Sequence, residues 1–92
     1  MLGTMIITAV REGQTGEVTG VQCAFVSGGN KWQTRLLLPG EFDELMLHGE
    51  LFSRVKAEQS IRRVREEGQI SEENVELNHE MMHFLGLRHR AE

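Results

Sequence analysis

The sequence is short of most things that hold small proteins together covalently or stiffen their turns: one cysteine, one proline, no tyrosine, and one tryptophan with four phenylalanines as its whole aromatic complement. The lone Cys23 cannot close an intrachain disulfide, so packing must hold the fold and a reducing compartment is expected. No stretch reaches the roughly 20 apolar residues of a membrane span. The opening MLGTMIITAV carries neither a basic leader nor a small-residue cleavage site, and the expectation is a cytoplasmic protein. Positive charge is not in excess either. Ten lysines and arginines face 14 aspartates and glutamates, for a net charge of -4, which argues against a general nucleic-acid coat.

What is present is one modest globular domain over residues 1–92, with 39% hydrophobic and 26% charged residues. At this length there is room for one core and no second. Residues 5–38 read as three strands. The first is Met5–Arg11, the second Glu17–Val26 with Val21, Cys23 and Phe25 on one face, and the third Lys31–Leu38. EGQTG and SGGN are short turns, which makes the three an antiparallel meander. Cys23, between Val21 and Phe25 and far from any base, reads as a small buried hydrophobe.

Apolar residues at helical spacing follow over 41–67, introduced by Pro39-Gly40 and the acids Glu41, Asp43 and Glu44, with a bend or break expected at His48-Gly49. A last helix is expected over 72–86, with Ser71 as N-cap, an Ile70 to Val75 staple and Gly86 as its stop. The expected fold is α+β: a three-stranded antiparallel meander with two or three helices on one face.

Charge falls in blocks. Residues 41–53 carry four acids and no base, whereas Arg54, Lys56, Arg62, Arg63 and Arg65 face one acid, Glu58, across 54–65. Glu58–Arg62, Arg62–Glu66 and Arg63–Glu67 are spaced for pairs on a solvated helix face. On the third strand Lys31, Gln33 and Arg35 share the face opposite Trp32, with Asn30 beside them. Long polar side chains on an open sheet face suit phosphates or acidic side chains. The candidate partner- or RNA-binding residues are therefore Asn30, Lys31, Gln33, Arg35, Arg54, Arg62 and Arg65; an ordinary solvated surface is the alternative.

Residues 79–89 read HEMMHFLGLRH, which resembles the zinc signature of the metzincin metalloproteases at every fixed position. The resemblance implies zinc held by His79, His83 and His89, an open position for water, and Glu80 as the base. Two histidines four apart on a helix reach one metal, and the glycine turns the chain back. Three readings stand: a peptidase, a zinc held for stability, and polar residues on a helix edge with no metal. In this sequence three residues follow His89 and the family's downstream methionine turn is not among them. Both zinc readings therefore rank behind a binding protein without a cofactor.

Taken end to end, from MIITAVREGQTGEVTGVQCAFV through KWQTRLLLPGEFDELMLHGELF to its C-terminus, the chain resembles the small phage-encoded anti-CRISPR proteins that act on the type I-F surveillance complex. The resemblance implies a non-enzymatic inhibitor that wedges among Cas subunits near the guide RNA and stops target DNA from hybridising, with no membrane involved.

Overall fold

The computed structural model describes residues 2–48, 54–77, 82, 83, 86 and 88–91. In chain order the elements are β1 (Leu2–Arg11), β2 (Val18–Ser27), β3 (Asn30–Gln33), α1 (Pro39–His48), α2 (Arg54–Glu67), β4 (Gln69–Glu76) and β5 (Arg88–Ala91). The fold is α+β. One antiparallel sheet runs in the order β4-β1-β2-β3-β5, so the expected β1-β2-β3 meander stands at its centre.

Period-two alternation makes the sheet two-faced. Met5, Ile7 and Ala9 of β1 stand in register with Phe25, Cys23 and Val21 of β2, and this face is buried beneath α1 and α2. Trp32 joins it from β3, its ring centroid 5.9 Å from that of Phe25. Phe42 and Met46 come down from α1, and Ala57 and Val64 from α2. The SGGN turn is tight because Gly28 and Gly29 both take positive φ, 58° and 81°, as the right-handed twist of a two-residue hairpin requires.

The expected third strand stops at Gln33 rather than Leu38. At Thr34 the ladder is half kept: its backbone N–H donates to the Cys23 carbonyl at 2.9 Å, while its buried hydroxyl, in place of its carbonyl, accepts the Cys23 N–H at 3.1 Å. Leu36 lies against Gly20, where the missing Cβ leaves it room, and Leu37 returns to bridge Val21. The helical stretch expected over 41–67 is two helices. Pro39 is the first residue of α1, where its missing N–H costs nothing, and Glu41 accepts the Leu38 N–H at 3.0 Å. α1 ends at His48, the expected break, and residues 49–53 lie outside the described residues.

The expected helix over 72–86 is corrected by β4. Gly68, at φ 84°, closes α2 and sends the chain back beside β1, whose backbone groups then take Gln69–Glu76 as a partner strand. Ile70 and Val75, read as a staple, share the buried face of that strand. Their spacing of five is reconciled by a bulge opposite Thr4, where Asn74 takes φ 58°. Further on, Met82 and His83 are helical, while 78–81, 84 and 85 lie outside the described residues.

Candidate functional site

The sheet face turned away from the helices carries Thr4, Ile6 and Thr8 from β1, Gln22, Ala24 and Val26 from β2, and Lys31 and Gln33 from β3. None of these is acidic. Beyond β3, the backbone register sets Arg90 across from Lys31 and Arg88 across from Gln33. Residues 26–35 and 88–91 contain four lysines and arginines and no acid, in a chain whose net charge is -4.

The opposite edge strand carries acids in place of bases. Exposed Glu73 and Glu76 lie on β4, and Glu66 and Glu67 end α2 beside it. Successive strands are about 4.8 Å apart, so roughly 19 Å separates the two edges. That exceeds the screening length of about 10 Å at 0.1 M salt, and the basic edge keeps its own field.

Of the seven residues singled out from the sequence, Asn30, Lys31 and Gln33 do lie together on β3. Arg35 does not extend them. Its guanidinium reaches both Glu41 oxygens, at 3.1 and 2.5 Å, and is committed to the start of α1. The same contact, reinforced by the Leu38 N–H, pulls the Glu41 carboxyl down to about 2. Arg54 begins α2, in the layer on the other face of the sheet. Arg62 is exposed there, and Arg65 binds Asp43 of α1 at 2.6 Å. The seven thus form no single patch. What the sequence reading missed is β5, which brings Arg88 and Arg90 into the β3 register. Its only signal was the R-H-R alternation after Gly86.

A second polar group lies inside. Glu72 occupies a core-facing position of β4 opposite Met5 and is 7% exposed. Ser60 of α2, 1% exposed, donates to its Oε1 at 2.9 Å, while Lys56 and Arg63 approach it at 3.4 Å. These residues join α2 to the sheet. Cys23 is equally structural: burial pushes its thiol up to about 12, which leaves no thiolate for chemistry.

Of the zinc signature, His79 and Glu80 lie outside the described residues. His83 is exposed, Gly86 takes φ 64° with its N–H on the His83 carbonyl at 3.0 Å, and the backbone of His89 lies in β5 opposite Trp32. Among the described residues no three histidine, cysteine, aspartate or glutamate side chains gather as a metal-binding group. Among them, too, no helix is long and apolar enough to cross a membrane. Comparison with protein-family models, characterised proteins and solved structures gives no match to this chain.

Proposed function

We propose that this protein is a non-enzymatic inhibitor of the type I-F CRISPR-Cas guide-RNA surveillance complex, lodging among its Cas subunits and keeping target DNA from hybridising. The observation that supports this most is the acid-free β3–β5 ribbon at one edge of a sheet whose acids lie on the opposite edge strand, β4. A small domain with bases on one edge strand and acids on the other suits a ribonucleoprotein, where RNA phosphates and the basic grooves that hold them lie side by side. Partner choice comes from the whole-chain resemblance, and the surface comes from the ribbon.

The test is target-DNA binding by purified surveillance complex, followed by gel shift with increasing protein. DNA binding is expected to fall as the inhibitor is added, and Lys31→Glu is expected to weaken the effect while leaving the melting temperature in place. Arg35 is unsuited to the same test, because its reversal would set a second carboxylate against Glu41. Full DNA binding at excess inhibitor would refute the reading.

A second reading, zinc bound by His79, His83 and His89 with Glu80 as the base, is favoured by one observation. Gly86, three residues after helical His83, takes the left-handed conformation that a chain reversal uses, two residues before the strand that holds His89.

A further inference from the structure

We infer that the β3–β5 ribbon binds the sugar–phosphate backbone of RNA without reading its sequence, with Arg88 and Arg90 as binding residues alongside Lys31. This rests on the ribbon being the contact surface of the inhibitor proposed above. Three observations carry it.

The first is charge. Lys31 has no salt bridge among the described residues, unlike Arg35, Arg63 and Arg65, and is half-buried on β3. The register sets Arg90 directly across from it and Arg88 two positions along. Cations repeated on adjacent strands match a polyanion better than a single carboxylate, because each phosphate neutralised releases condensed counterions.

The second is what the face lacks. Sequence-tolerant but base-engaging proteins stack bases on exposed aromatic rings. Here the only tryptophan, Trp32, turns to the core and packs on Phe25. The open-face residues of β1, β2 and β3 are threonines, glutamines, aliphatic residues including Leu2, Ile6 and Val26, and Lys31. Among the described residues such a surface offers hydrogen bonds and charge to a backbone and no aromatic ring on which a base would be read by stacking.

The third is the neighbourhood. Gln33 on the same face adds an amide that can donate to a phosphate oxygen. No acid lies among residues 26–35 or 88–91 to oppose an anion, and the β4 carboxylates are screened by distance.

The test is fluorescence anisotropy with two labelled single-stranded RNAs of unrelated sequence at low salt. Binding is expected to be alike for both RNAs, with a log–log salt slope of about -2, as three neutralised phosphates on a single strand would give. Lys31→Gln, Arg88→Gln and Arg90→Gln together are expected to weaken both by about tenfold or more. Arg62→Gln, on the helix layer, is expected to change neither. Unaltered thermal melts establish that the variants fold, and Lys31→Gln alone is expected to lower affinity should the triple variant melt early. Equal loss in Arg62→Gln, strong preference for one RNA, or displacement only by poly-glutamate would overturn the inference. A wild type that inhibits the complex yet binds neither RNA overturns it too, and leaves the inhibitor reading standing. A wild type that binds both RNAs through the ribbon but does not inhibit upholds it and removes that reading.

Discussion

The contact between Ser60 and Glu72 makes the sharpest claim about stability, because it places a carboxylate where an apolar residue would ordinarily stand. Ser60→Ala deletes the 2.9 Å hydrogen bond and leaves one Glu72 oxygen with Arg63 alone, at 3.4 Å. A hydrogen bond to a charged group contributes about 1.5–3 kcal/mol. For a domain of this size each kcal/mol moves the melting temperature by about 4–8 °C, so the variant is expected to melt roughly 6–24 °C lower. Lys56 and Arg63 matter less. Their side chains are each 45% exposed, and water and salt screen their attraction, so Lys56→Met is expected to cost no more than about 1 kcal/mol.

The double variant Ser60→Ala/Glu72→Leu removes both polar partners together. Replacing a buried polar group and its partner by apolar groups of similar size is close to neutral. The double variant is therefore expected to be more stable than Ser60→Ala alone, with a coupling of about 1–3 kcal/mol. Urea unfolding followed by the fluorescence of Trp32, the only tryptophan, measures all four corners of the cycle. A Ser60→Ala variant within about 0.5 kcal/mol of wild type would refute the reasoning, since a buried carboxylate would then have no need of its nearest donor.

Three further outcomes are expected. Gly3→Ala would set a Cβ against the Val26 carbonyl oxygen and 2.8 Å from the Phe25 ring, at a cost of about 1–3 kcal/mol, whereas Gly20→Ala meets only the half-exposed Leu36 side chain and should change the melt little. Glu41, ordinarily near 4.5 and held at about 2 chiefly by Arg35, stabilises the fold above its unfolded value and loses that contribution as pH falls through about 2. The melting-temperature gap between wild type and Glu41→Gln should thus be open at neutral pH and closed by about pH 2; a gap that does not change with pH would contradict the assignment. Finally, metal analysis of the purified protein with melts before and after chelation decides the zinc reading. One zinc and a lowered melt favour it, with Glu80→Gln then separating catalysis from stability, while no metal and an unmoved melt dispose of it.

The elements that could be read from the sequence are those whose local pattern agrees with their place in the fold. In β1 and β2 strict alternation put Val21, Cys23 and Phe25 on one face, and that face is the core. The helical stretch expected to end at 67 does end there, and Gly68 then takes φ 84°, a conformation glycine adopts most readily. β4 was hidden because two of its features mimic a helix start. Ser71, Glu72 and Glu73 look like a cap with an acidic first turn, and the bulge at Asn74 spaces Ile70 and Val75 as a staple would be. The third strand was overextended because Leu36 and Leu38 continue its alternation while the Thr34 hydroxyl takes its carbonyl's place in the ladder. At the candidate site Lys31 and Gln33 were legible from alternation alone. Arg35 was not, since its partner Glu41 lies six residues away across a turn.

The parts that escaped sequence reading are also the parts that distinguish the two ends of the sheet. β4 bears a bulge, a left-handed asparagine and exposed Glu73 and Glu76, the devices by which an edge strand refuses another strand. Glu72 turns inward on that same strand, so the strand that looks most helical is fastened to α2 by a side chain rather than by hydrophobic periodicity. At the far edge, the four residues of β5 carry two arginines and no apolar side chain larger than Ala91, which leaves period-two burial nothing to register. Their placement follows from pairing with β3, a long-range fact to which local propensity is blind. Charge is what makes that placement consequential: without β5, Lys31 is a single cation on an uncharged face, and with it the face ends in a basic ribbon about 14–19 Å from the acids of β4.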